Sequence, residues 1–285
     1  MAQIQLGLIG DNIKASRAPN LHHFCGEMTG LDVDYQRLIP ADLGTEFDTT
    51  FANALNSGYR GLNITLPYKE RVVAKLTIDD PDIARIGACN TVLFTEDGPK
   101  GYNTDFSGFI AGFRDTLGDI APGRVVMFGA GGVGKAVAFG LKRLNASQII
   151  LIDPDTTKAQ ELADALNASH DASHDASING VTLARVGTLD DLARADGVIN
   201  CTPLGMVGYG GSPVPEGAFP AATWAFDAVY TPVNTPFKAQ AESAGAAFMS
   251  GYELYYWQGV DAYEIFTGVK ITDHATLRAH LLKTA

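Results

Sequence analysis

Six residues, Gly129-Ala-Gly-Gly-Val-Gly134, constrain this chain more than any other stretch. They follow the apolar run Val125-Val-Met-Phe128 and precede a helical pattern from Lys135 to Leu144. Glycines spaced Gly-x-Gly-x-x-Gly between a strand and a helix suit a tight turn whose backbone approaches a pyrophosphate, with the helix N-terminus supplying amide donors. The pattern is short, and its strand-to-helix context gives it meaning. The next strand, Gln148 to Ile152, ends at Asp153. An acidic residue there, roughly 20 residues beyond the glycines, accepts a hydrogen bond from the ribose 2′-hydroxyl of NAD and repels a 2′-phosphate. No arginine follows in Asp153-Pro-Asp-Thr-Thr157, and Lys158 is the first cation. The expected cofactor is NAD, held by Gly129, Ala130, Gly131, Gly132, Val133, Gly134 and Asp153.

The remaining pattern is an alternation of strand and helix, which predicts an α/β fold with largely parallel sheets. Strands are expected at 4–9, 33–38, 61–65, 89–94, 99–103, 124–128, 148–152, 181–185, 197–200, 223–227 and 248–251. Helices are expected at 21–28, with Pro19 in the first turn, and at 43–56, 69–76, 106–117, 135–144, 157–167, 236–244, 253–266 and 275–283. Gly118 and Pro122-Gly123 mark the best boundary. The expected organisation is a substrate-binding and catalytic domain at 1–105, a linking helix at 106–122 and a Rossmann-type NAD-binding domain at 123–237. Helices at 238–285 are expected to pack back on the N-terminal domain.

At 285 residues the chain has room for about two domains. Its formal charge of −11 argues against nucleic acid, which needs a basic face. Cys25, Cys89 and Cys201 are too scattered for a disulfide frame or a zinc knuckle and are expected to be buried thiols. The N-terminus reads as a first strand rather than a signal peptide, and no window approaches the ~20 apolar residues of a membrane span, so a cytoplasmic protein is expected. His170 and His174, four apart in the repeat Ala-Ser-His-Asp-Ala-Ser-His-Asp-Ala-Ser at 168–177, have a metal-compatible spacing. The polar repeat reads instead as a solvated loop, and no metal is expected.

Chemistry concentrates between Asn63 and Gly108. Asn63-Ile-Thr-Leu-Pro-Tyr-Lys69, Gly87-Ala-Cys-Asn-Thr91 and Gly101-Tyr-Asn-Thr-Asp-Phe-Ser-Gly108 place one lysine, one aspartate and several short polar side chains at the ends of apolar runs. Such a set suits a small polyhydroxylated molecule on which a proton moves. Asp105 reads equally as a helix N-cap before Phe106.

With the further motifs Asn200-Cys-Thr-Pro-Leu-Gly-Met206, Asp227-Ala-Val-Tyr-Thr-Pro232 and Gln258-Gly259, the chain resembles the shikimate/quinate dehydrogenases over nearly its whole length. The resemblance implies two α/β domains with the active site in the cleft between them. It implies reversible NAD-dependent oxidation of shikimate to 3-dehydroshikimate, with Lys69 and Asp105 as the catalytic pair. The substrate would be a cyclohexene or cyclohexane carboxylate polyol, met by Ser16, Asn63, Thr65, Asn90, Tyr230 and Gln258. Thr202, Leu204 and Met206 would line the cofactor. The implied setting is the shikimate pathway of aromatic amino acid biosynthesis, in a monomer or homodimer with no nucleic-acid or membrane partner. Quinate or an aminoshikimate remains an alternative substrate. A sensor of metabolite or NAD without turnover is a further alternative, against which the retention of Lys69 and Asp105 speaks.

One position departs from the family pattern. Its N-terminal loop carries two hydroxyl residues before proline, whereas this chain reads Ala15-Ser16-Arg17-Ala18-Pro19. Ser16 fits and Ala18 removes one donor to the substrate carboxylate. Arg17 is expected in solvent rather than turned inward. The Ala18→Ser substitution is accordingly expected to lower the shikimate KM by about ten-fold, the worth of one charge-assisted hydrogen bond. Steady-state kinetics with no improvement in KM would refute the missing-donor argument.

Overall fold

The computed structural model describes residues 3–171 and 182–283. The repeat at 168–177, with His174, lies largely outside the described residues. The chain forms two compact units, residues 1–104 with 258–285, and residues 105–257.

The first unit contains β1 (Ile4–Ile9), α1 (Ala18–Thr29), β2 (Val33–Leu38), α2 (Phe47–Asn56), β3 (Gly61–Ile64), α3 (Pro81–Ile86), β4 (Thr91–Thr95) and β5 (Gly98–Tyr102). Its sheet runs β2-β1-β3-β4-β5, with β2, β1 and β3 parallel and β4 and β5 antiparallel. Leu6, Leu8, Ile13, Tyr35, Ile39, Ala262 and Phe266 form a core cluster on it. Gly61 is required by a close approach: a Cβ there would stand about 2.5 Å from the Phe266 ring and 2.7 Å from the Val92 carbonyl oxygen.

The second unit opens on α4 (Thr104–Leu117) and continues through β6 (Arg124–Phe128), α5 (Gly132–Arg143), β7 (Gln148–Ile152), α6 (Thr156–Asp171), β8 (Ala184–Val186), β9 (Gly197–Asn200), β10 (Trp224–Asp227), α7 (Pro236–Ser243), β11 (Ala247–Ser250) and α8 (Gly251–Thr267). Residues from Gln258 onward, including α9 (His274–Lys283), belong to the first unit. The second sheet is wholly parallel, in the order β11-β10-β9-β6-β7-β8. Such a sheet is covered on both faces, which is why Val125 to Phe128, Ile149 to Leu151 and Val198 to Ile199 are continuous buried runs. α4 lays Phe109 and Phe113 edge-on against Phe226 and Trp224 at 5.2 and 5.0 Å.

Several sequence expectations are corrected. The return to the first unit comes at Gln258 rather than 238, because β11 pairs with β10 and completes the second sheet. The expected helix at 69–76 is a 3₁₀ turn, Arg71–Lys75. α2 starts at Phe47 rather than Leu43, because Gly44 takes a left-handed φ of 65°. The expectation passed over α3, although its signals are local: Asp80 accepts the Asp82 N–H at 2.8 Å, Pro81 opens the helix and Gly87 closes it at φ 67°. Asp105 lies in the first turn of α4 rather than at its cap. Arg17 is not in solvent; it is half-buried and its guanidinium donates to the Leu281 carbonyl at 2.5 Å.

Cys25 and Cys89 are buried, and burial pushes each thiol up to about 12. Among the described residues no helix is long and apolar enough to cross a membrane, and no group of three or more His, Cys, Asp or Glu is placed to hold a metal. Gly61→Ala is expected to destabilise the protein by about 1–3 kcal/mol through overpacking, read as a lower Tm by calorimetry.

Candidate active site

In the first unit the chain leaves β1 and β3 at the same edge of the sheet. The Thr65 N–H donates to the Ile9 carbonyl at 2.9 Å and the Asp11 N–H to the Leu66 carbonyl at 3.3 Å, so the two exit loops lie together. Tyr68 stacks on Phe47 at 4.5 Å and donates its hydroxyl to Asp11 Oδ1 at 2.6 Å. That hydrogen bond is the chief reason its phenol is pushed up to about 12. Lys69 follows, half-buried, with its carbonyl accepting the Cys89 N–H at 2.9 Å. The lysine backbone is thereby fixed beside the approach to β4, where Asn90 sits.

Asn63 and Asn90 are both buried. Asn63 Nδ2 donates to the Asn90 carbonyl at 3.2 Å and to Thr91 Oγ1 at 3.0 Å, and Asn63 Oδ1 accepts the Tyr35 hydroxyl at 2.8 Å. Asn90 Oδ1 accepts the Thr104 N–H at 2.7 Å, the Thr104 hydroxyl at 3.1 Å and the Thr91 hydroxyl at 3.0 Å. With that oxygen saturated, the Asn90 NH₂ group is the end of the amide available to an incoming hydroxyl. Thr65 is half-buried at the same edge. At the N-terminal loop Ser16 Oγ accepts the Ala18 N–H at 3.3 Å, which leaves its own proton available, and the Ser16 carbonyl accepts from Arg37 at 2.6 Å. Gln258 is half-buried on α8.

In the second unit Asp105 is buried in the first turn of α4. The glycine turn leaves β6 with Gly129 at φ 95°, where a Cβ would meet the Cys201 carbonyl oxygen at 2.7 Å. A Cβ on Gly134 would run into the Gly129 carbonyl. Gly131 and Gly132 differ: a Cβ on either would meet no protein atom. Those two glycines keep open space above the N-terminus of α5, as a pyrophosphate requires. Val133 is half-buried in the same turn. Asp153 accepts the Ala130 N–H at 2.7 Å and the Asp155 N–H at 2.8 Å, which holds its carboxylate beside the turn. Each oxygen retains acceptor capacity for a ribose hydroxyl.

The loop after β9 is shaped by Asn200, which donates to the Leu204 carbonyl at 3.0 Å and to Asp227 Oδ1 at 2.9 Å and accepts the Thr202 hydroxyl at 2.6 Å. Asp227 also accepts from Thr235 at 2.6 Å and from the Val229 N–H at 3.0 Å, and its burial pushes the carboxyl above the usual range. Met206 is exposed at the loop tip, and Tyr230 stacks on Tyr255 at 5.6 Å.

The first unit thus gathers Asn63, Thr65, Lys69 and Asn90, and the second gathers the glycine turn, Asp153, Thr202 and Leu204. Tyr35, Thr91, Thr104, Asn200 and Asp227 had no assigned role in the sequence. Thr91, Thr104, Asn200 and Asp227 stood inside the quoted motifs, whereas nothing local marked Tyr35.

Residues 8–92 match the model of the shikimate dehydrogenase substrate binding domain, and residues 125–204 match that of the saccharopine dehydrogenase NADP binding domain. The quinate/shikimate dehydrogenase (NAD(+)) of Corynebacterium efficiens is 37% identical, with 98% of each chain covered. A shikimate dehydrogenase (NADP(+)) of an Arthrobacter species is 35% identical over 98% of this chain and 94% of that protein. The solved structure of quinate dehydrogenase from Corynebacterium glutamicum in complex with NAD matches with a TM-score of 0.89 at 33% identity, covering 99% of this chain and 100% of the other. Two units of this topology, with the polar edge of the first and the glycine turn of the second, accord with these likenesses, and the chain belongs to the shikimate/quinate dehydrogenase family.

Proposed function

We propose that the protein catalyses the reversible NAD-dependent oxidation of shikimate to 3-dehydroshikimate. The observation that carries the cofactor half is Asp153, whose carboxylate is held 2.7 Å from the Ala130 amide at the glycine turn. Fixed negative charge there favours a free ribose 2′-hydroxyl over a 2′-phosphate. The C. efficiens relative and the C. glutamicum structure, named for NAD, support the same reading. When bound, NAD supplies the hydride acceptor. The chain's residues do the rest: Gly131 and Gly132 leave room for the pyrophosphate, Asp153 takes the ribose, and Thr202, Leu204 and Met206 border the cofactor.

The first unit holds the substrate in this reading. Thr65, Asn90 and Gln258 meet ring hydroxyls, with Asn63 behind Asn90, while Ser16 and Tyr230 meet the carboxylate end. Lys69 takes the hydroxyl proton as hydride leaves, and Asp105 completes the proton-transfer pair. Quinate is the second candidate substrate, favoured by the quinate in the names of two of those relatives and by the missing hydroxyl at Ala18. The assembly is proposed as a cytoplasmic monomer or homodimer.

An NADH absorbance assay on shikimate and quinate tests the reading; no turnover of either would overturn it. NAD is expected to give a kcat/KM about ten-fold or more above NADP, a difference of ~1.4 kcal/mol or more. Lys69→Ala is expected to lower kcat by about 10²–10⁴-fold while NADH binding, followed by fluorescence titration, is unchanged.

A further inference from the structure

His22, on α1, is 1% exposed. Its ring stacks on Tyr35 with centroids 4.5 Å apart and planes 10° apart, and Tyr263 and Phe266 flank it at 6.1 and 5.8 Å. Burial lowers the imidazole to about 3, so the ring is neutral. The Asn63 side chain beside it pulls the other way, favouring the protonated ring, and Nδ1 has no hydrogen-bond partner among the described residues. A buried ring nitrogen without a partner is costly, and a phenylalanine would fill this apolar site without that cost. The same holds for the Tyr35 hydroxyl, which reaches out of a core cluster to Asn63 Oδ1 at 2.8 Å. The hydroxyl meets the Asn63 carboxamide oxygen, and the imidazole interacts with the same side chain.

That oxygen orients Asn63. Both Nδ2 protons of Asn63 are then committed, to the Asn90 carbonyl at 3.2 Å and Thr91 Oγ1 at 3.0 Å. Thr91 passes the connection to Asn90 Oδ1 at 3.0 Å. Asn63 has no proton left for a ligand, whereas Asn90 Nδ2 donates to no protein atom among the described residues. The chain of hydrogen bonds starts in the core and ends on the Asn90 amide group.

We propose that His22 and Tyr35 are positioning residues of the substrate site, acting through Asn63 to set the direction of the Asn90 NH₂ group. The proposal rests on the substrate reading above. The phenol fixes which way the Asn63 amide is turned, the imidazole stacked on it holds the phenol in place, and Asn63 in turn fixes both the backbone and the side chain of Asn90.

The test is a double-mutant cycle. Tyr35→Phe keeps the ring stack and removes only the hydroxyl. It is expected to raise the substrate KM about ten-fold, with the KM for NAD and kcat changed by no more than about two-fold. The double variant Tyr35→Phe/Asn90→Ala is expected to match Asn90→Ala alone, because the hydroxyl acts through the amide. His22→Phe is expected to show the same non-additivity. Additive effects, or a lower Tm with an unchanged substrate KM, would overturn the proposal. In ¹H–¹⁵N spectra Tyr35→Phe is expected to shift the Asn90 side-chain amide pair and leave that of Asn167, which donates to the Ala184 carbonyl. If the wild type turned over neither shikimate nor quinate, the functional reading would fall and the amide spectrum would still decide the coupling: a shifted Asn90 pair supports it and an unmoved pair overturns it.

Discussion

Parallel strand pairing is the constraint on which both units depend. A parallel neighbour is reached only through a crossover, so consecutive strands leave their sheet at the same edge. Every exit loop then collects there, with backbone groups that the sheet no longer satisfies. In the first unit the loops after β1 and β3 meet through the bonds of Thr65 to Ile9 and Asp11 to Leu66. In the second, the loops after β6, β7 and β9 bring the glycine turn, Asp153 and Thr202 to one edge. The antiparallel pairing of β4 with β3 adds a refinement: β4 begins where β3 ends, so Asn90 arrives beside Asn63 and Ile64.

The legible parts were those whose chemistry is local. Three glycines between a strand and a helix have few uses, and the structure shows a separate steric reason at Gly129 and at Gly134 and open space at Gly131 and Gly132. Pro19 in the first turn of α1 was readable for the same reason. The parts that stayed hidden depend on register or on distant chain. Tyr35 meets Asn63 because β2 and β3 flank β1, and no spacing in the sequence encodes that pairing. Arg17 was expected in water on composition alone, and its partner is a carbonyl 264 residues away. The return of the chain at 258 rather than 238 turned on a four-residue strand whose pattern does not say which sheet it joins.

The two halves of the candidate site are built on different physical terms. The cofactor turn is shaped by absence: glycine backbone, open space and a helix start. The substrate edge is shaped by saturation, with Asn63, Thr91, Thr104 and Asn90 satisfying one another until a single amide end is left. Asn200 and Asp227 repeat that device in the second unit, where a buried carboxylate and carboxamide brace the loops after β9 and β10.

Cys89 stands directly before Asn90, its amide tied to the Lys69 carbonyl. Burial pushes its thiol up to about 12, which disfavours the thiolate at neutral pH. The thiol next to Asn90 is thus kept in its protonated, less nucleophilic form by the same packing that holds the Asn90 backbone in place.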